Sequence, residues 1–154
     1  MEQPTILIDN QQEKIIPTDI IRQKTKQILN ALGYNRHEIS IVLTDDDTIR
    51  NLNRQFRGID KPTNVLAFSM QEGAYGDISP GLLGDLVISC ETARKEADTA
   101  GVSLIQRMSQ LLVHGTLHLA GYDHETDDRD ARKMEEKSLA LIRLIEENTS
   151  LDAF

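Results

Sequence analysis

Apolar positions recur along this chain with two periods, and the period changes where turn-forming residues fall. Thr5–Ile8 is short, apolar and β-branched and predicts a strand. From Pro17 to about Leu32 the pattern is helical: Ile20, Ile21, Ile28 and Leu32 recur near one face, Pro17 suits a first turn, and Gly33 suits the stop. Ile39–Thr44 alternates and predicts a second strand. Asp45–Phe56 reads as a helix, with Asp45, Asp46 and Asp47 at its positive N-terminal end. Ile49, Leu52 and Phe56 form its apolar stripe, and Arg50, Arg54 and Arg57 form a basic one. Val65–Met70 and Leu82–Ser89 read as strands on either side of a glycine-rich loop, Gln71–Gly81. Helices are expected over Glu91–Ala100, Ser103–Ala120 and Asp128–Glu147, the last with Ala131, Met134, Ser138, Leu141 and Ile145 inward. Strands and helices alternate early and helices collect late. The expected architecture is α+β, a single mixed sheet of about four strands covered by about five helices.

Length and composition narrow the class. With 154 residues, no repeat and no linker, the chain reads as a single domain over residues 1–154. Aromatics make up 4% and tryptophan is absent, so the core must be mainly aliphatic. The N-terminal stretch has no basic region followed by a long apolar run, so no signal peptide is expected. No apolar run approaches the roughly 20 residues that span a bilayer. Cys90 is the one cysteine, which excludes an intramolecular disulfide and fits a reducing cytoplasm. The net charge of −8 argues against nucleic-acid attraction through the global field, so such a role needs a local basic patch.

The candidate chemistry lies in His114-Gly-Thr-Leu-His118-Leu-Ala-Gly121-Tyr-Asp-His124. Residues at i and i+4 share a helix face, so His114 and His118 can reach one ion. Gly121 can end the helix and let the chain turn back to aim His124 at the same ion. Three neutral ligands leave one position for water, as in catalytic zinc sites. A lone buried histidine is more simply a core residue bonded to a carbonyl. Three of the chain's four histidines lie within this motif, and that concentration favours metal. His37 stands alone in a polar turn and is expected to be exposed.

The spacing resembles the His-Glu-x-x-His helix of zinc proteases, but position 115 is glycine, which cannot act as a base. A phosphodiester is a better candidate substrate, because a metal beside a cation suits its anionic transition state. Arg50, Arg54, Arg57 and Lys61 supply cations against one acid, Asp60. They can form the wall of a phosphate-binding groove, with Arg57 nearest the chemistry, or simply a solvated helix face. Asp85 is a candidate to orient a histidine by hydrogen bonding, or it supports a turn. Asp123 and the Asp60–Thr63 segment have similarly plain readings, as exposed residue and rigid turn.

Three segments together resemble the YbeY family of bacterial metal-dependent endoribonucleases, also called rRNA maturation factors. One is the histidine motif. The second is Asn53 to Phe68, NRQFRGIDKPTNVLAF, which resembles the family's Asn-x-x-Tyr/Phe-Arg and Asp-x-Pro-Thr-Asp-Val-Leu-Ser-Phe stretch. The third is Leu83-Gly84-Asp85-Leu86-Val87-Ile88-Ser89, similar to its Leu-Gly-Asp-Ile-x-Ile-Ser strand. The resemblance implies a fold distantly like zinc metalloproteases and one zinc ion held by His114, His118 and His124. It also implies Arg57 and His114 as catalytic residues and single-stranded RNA as substrate. The implied role is in 16S rRNA 3′-end maturation and ribosome quality control, with the small ribosomal subunit and its assembly factors as partners and no membrane. Asn64 departs from the family's usual Asp and Ala67 from its usual Ser. Two other readings stay open: a ribosome-associated binding module in which metal only fastens His124's loop, and a metalloprotease with a base from elsewhere.

Overall fold

The apolar runs become strands, and the 3.6-residue stripes become helices, within a residue or two of the bounds the pattern suggests. The computed structural model describes residues 2–70, 81–122 and 128–146. Its strands are β1 (Thr5–Asn10), β2 (Glu38–Thr44), β3 (Val65–Ser69) and β4 (Leu82–Ser89). Its helices are α1 (Thr18–Ala31), α2 (Asp46–Arg57), α3 (Cys90–Ala100), α4 (Leu104–Leu119) and α5 (Asp128–Ile145). The strands make one mixed sheet in the order β1-β2-β4-β3. β1, β2 and β4 run parallel, and β3 pairs antiparallel with β4 at the sheet edge. This is the expected α+β architecture. Most of the Gln71–Gly81 loop and the turn after Tyr122 lie outside the described residues.

The two faces of the sheet are unequal. On one, Ile39, Ile41 and Leu43 of β2 and Leu86 and Ile88 of β4 meet α1, α4 and α5 in the main core. Leu111, Leu112, Leu117 and Leu119 of α4 fill its middle, and Cys90 and Ala93 of α3 close one end. On the other face, α2 lays Ile49 on Leu66 and Val87, with Val42, Leu52 and Phe68 around them. Cys90 belongs to the main core, and burial pushes its thiol up to about 11, which makes it a poor nucleophile. No helix among the described residues is long and apolar enough to cross a membrane.

Two expectations about single residues change. Phe56 was the last member of the α2 stripe, yet its side chain is 58% exposed while Ile49 is fully buried. It stands in the last turn of α2, which ends at Gly58. His37 is not simply exposed. It is half-buried, its ring packs edge-on against Tyr34 at 4.6 Å, and its buried Nδ1 has no hydrogen-bond partner among the described residues.

The β4–β3 approach depends on Gly84. A Cβ there would lie 2.1 Å from the Phe68 carbonyl oxygen, and φ is +141°. Only glycine satisfies both, so the Leu-Gly-Asp segment is explained by strand contact. The register of β2 on β4 also shifts here, with Glu38 opposite Leu82 and Ile39 opposite Gly84.

The helix that carries the basic stripe is anchored through Asp46. Its carboxylate accepts hydrogen bonds from Ser89 Oγ at 2.6 Å, from Thr92 Oγ1, and from Lys95 Nζ at 2.9 Å. The Asp46 backbone N–H donates in turn to Glu91 Oε1. Burial raises the Asp46 pKa, but the bonds from Ser89, Thr92 and Lys95 outweigh it and hold the carboxyl below its ordinary value. A lowered carboxylate pKa stabilises the fold above its unfolded value and stops doing so as pH falls through the folded value. Asp46→Asn is expected to cost about 1–2 kcal/mol at neutral pH and much less at acid pH, where the wild-type carboxyl is itself protonated. Urea melts of both proteins across that range check it; a pH-independent difference would contradict the electrostatic account.

Candidate active site

α4 begins with a reciprocal cap. Ser103 Oγ accepts the Gln106 N–H, and Gln106 Oε1 accepts the Ser103 N–H, each at 3.0 Å. It ends as the sequence suggests. Gly121, at φ +95°, donates to the His118 carbonyl, and Tyr122 N–H donates to the Leu117 carbonyl. These two bonds form a Schellman stop, with Tyr122 packed back onto the core. His124 comes two residues later and lies outside the described residues, as does Asp123.

From Arg107 to Leu119 every residue is buried except His114 and His118, which are half-exposed. The two imidazoles therefore form the window of a buried helix onto solvent. Their Nε2 atoms lie 3.0 Å apart, with ring centroids at 4.5 Å and planes at 71°. Facing lone pairs repel, so two nitrogens this close must share a proton or a cation. Nitrogens bound tetrahedrally at about 2.0–2.1 Å would stand about 3.3 Å apart, so the pair needs little movement to fit one zinc ion. No group of three His, Cys, Asp or Glu residues suited to a metal occurs among the described residues.

Gly115 has a steric reason. A Cβ there would meet Leu86 Cδ2 at 2.8 Å and Val65 Cγ2 at 3.3 Å. The position faces the sheet, so a glutamate would be driven into the core rather than toward the histidines. The missing protease base is thus a consequence of how tightly α4 lies on β3 and β4.

The basic residues fall into separate roles. Arg50 holds Asp60 through two bonds, Nε to Oδ1 at 2.9 Å and Nη2 to Oδ2 at 3.2 Å. The bond from Arg50 holds the Asp60 carboxyl below its usual range, and Asp60 raises the Arg50 pKa. Arg50 therefore clasps the chain that follows α2 as well as adding charge. Arg54, Arg57 and Lys61 are exposed, and Arg54 also reaches the Asn51 side chain at 3.4 Å. Asp85 is exposed on β4 and pairs with Phe68 across the ladder. Strand alternation puts it on the α2 face, opposite Leu86, against which Gly115 rests. The structure does not bring Asp85 to His114 or His118.

Two features escaped the sequence reading. Buried Asn53 donates from Nδ2 to the Lys61 carbonyl at 2.9 Å, and its backbone carbonyl accepts from the Ile59 N–H. It pins the loop that leads from Arg57 to β3. Asn64 also gains a role. It donates to both oxygens of Glu96, at 3.2 and 3.3 Å, while its Oδ1 accepts the Val65 N–H. Glu96 also accepts from Arg107 Nε and Nη2, and Arg107 Nη1 donates to Gln110. Arg107, Gln110, His114 and His118 lie at i, i+3, i+7 and i+11, one polar stripe on α4. An aspartate at 64 would face Glu96 charge to charge, whereas the asparagine amide donates to it.

This is an α+β protein whose core helix presents a histidine pair beside an edge strand. The chain belongs to the endoribonuclease YbeY family, whose model matches residues 7–146. It is 46% identical over 143 residues to endoribonuclease YbeY of Geobacter sulfurreducens, covering 92% of this chain and 95% of that protein. Against endoribonuclease YbeY of Geobacter metallireducens it is 43% identical over 141 residues, covering 91% and 94%. The solution structure of TM1509 from Thermotoga maritima superposes with a TM-score of 0.65 at 27% identity, covering 93% of this chain and 89% of that one.

Gly115→Glu is expected to lose about 3 kcal/mol or more by forcing a carboxylate against Leu86 and Val65, and to gain no proteolysis. Denaturant unfolding measures the first and casein digestion the second. A variant as stable as its parent would show that position 115 faces open space.

Proposed function

We propose that this protein is a zinc-dependent, single-strand-specific endoribonuclease that acts in 16S rRNA 3′-end maturation and ribosome quality control in the cytoplasm. One observation carries the reading: in a stretch of α4 otherwise buried, two imidazoles reach solvent with their Nε2 atoms 3.0 Å apart. Family membership supports RNA as the substrate. His114 and His118 would hold the zinc together with His124. When bound, zinc supplies Lewis-acid polarisation of the scissile phosphate.

The chain's own residues do the rest. Arg57 binds and orients the phosphate, and its fixed charge offsets the charge that grows in the transition state. Arg54 and Lys61 extend the backbone contact along the strand, and Arg50 adds charge while holding Asp60. His114 fixes the ligand side of the site from the middle of a rigid, buried helix. The lone cysteine, buried and reduced, suits a cytoplasmic location, and the small ribosomal subunit with its assembly factors is the proposed setting. The tight packing at Gly115 disfavours the protease reading.

Cleavage of labelled single-stranded RNA should stop with chelator and return with zinc. His118→Ala should abolish it. Arg57→Ala should lower it roughly 10- to 100-fold, the loss of one charge-assisted contact, with the fold intact. Metal-independent cleavage, or none at all with Arg57→Ala indistinguishable from wild type, would contradict the proposal.

A further inference from the structure

Phe56 departs from the expected core pattern in a specific way. Its side chain is 58% exposed at the end of α2, and Ile59, three residues further on, is 39% exposed. The ring is nevertheless held: it meets Phe68 edge-to-face, with centroids 5.2 Å apart and planes at 67°. Arg54, Arg57 and Lys61, all exposed, surround it in sequence. An oriented ring with exposed cations close in sequence matches what an unpaired nucleic-acid strand needs, a face for its base and charge for its phosphates.

Its location connects it to the histidines. Phe68, which holds the ring, lies on the edge strand β3, and the next residue, Ser69, donates from Oγ to the Leu119 carbonyl at 3.3 Å. Leu119 directly follows His118. The Phe68 carbonyl is also the atom that Gly84 must approach closely, and Leu119 Cδ2 meets the same point. A strand drawn over the β3 edge would thus pass from the aromatic pair on the α2 face to the histidine pair on the α4 face.

We propose that Phe56 is a stacking platform for an unpaired base of the RNA substrate, placed so that Arg57 takes an adjacent phosphate. The inference rests on the endoribonuclease reading and adds a residue that grips the base rather than the backbone. It accounts for a preference for single strands, because in a duplex each base's faces are already covered by its stacked neighbours.

The test measures binding by fluorescence anisotropy. The probes are a labelled 2′-O-methyl single-stranded RNA, which resists cleavage, and the same strand made abasic. Phe56→Leu keeps apolar contact with Phe68 but removes the ring. It is expected to weaken binding of the intact strand about tenfold, the factor for losing one base–aromatic stack, and to leave abasic binding unchanged. Phe56→Trp should bind the intact strand at least as well as wild type. Leu144→Ala removes an exposed apolar side chain on α5 and serves as the control, with no change expected. Equal binding by wild type and Phe56→Leu, or equal losses on both strands, would overturn the stacking role while leaving the nuclease reading in place. A wild-type protein that binds neither strand would overturn both.

Discussion

The contact between Gly115 and the sheet sets the geometry of everything functional in this protein. With no side chain at 115, α4 settles directly onto Leu86 and Val65. That contact buries one side of the helix against β3 and β4. The other residues of its central turns are buried too, except the two histidines. Their position is therefore set by core packing, which is stiff, and not by a surface helix that could roll. If the pair holds the proposed ion, that stiffness helps, because a site held by packed elements needs less rearrangement to accept one.

β3 links this helix to the basic side of the molecule. It carries Val65 under Gly115, Phe68 under Phe56, and Ser69 against the end of α4. Its pairing with β4 tolerates nothing larger than glycine at 84. The α2–β3 loop is tied at several points, by Asn53 to the Lys61 carbonyl, by Arg50 to Asp60, and by Asn64 to Glu96. The Asn64–Glu96–Arg107–Gln110 chain joins the loop just before β3 to α3 and the histidine helix by hydrogen bonds. These polar residues lie in or beside the quoted motifs or on α4, except Glu96 on α3, and their bonds give them structural reasons for being there.

Much of this was readable from the residues. The strand and helix order followed from hydrophobic period, and Gly121 stopped α4 as its backbone freedom suggests. The i, i+4 histidines share a face because helical geometry leaves no alternative. The errors have physical causes. Phe56 matches the α2 stripe by spacing, but it lies over Phe68 on the edge strand β3, and spacing does not report where the edge of a sheet falls. For Asp85 the sequence left two readings, orienting a histidine or supporting a turn, because which strand face α4 covers turns on a one-residue step. His37 found Tyr34, a contact between neighbours in a turn that periodicity does not describe. The partnership of Asn64 with Glu96 joins the loop before β3 to α3, so no local pattern could show it. His124 lies beyond the described residues, and its place at the ion remains part of the proposal.

The most direct test of the central claim is anomalous diffraction at the zinc edge from crystals grown with zinc. The account predicts a peak about 2.0–2.1 Å from Nε2 of both His114 and His118. Crystals saturated with zinc that show the two nitrogens still facing one another, with the metal elsewhere or absent, would contradict it.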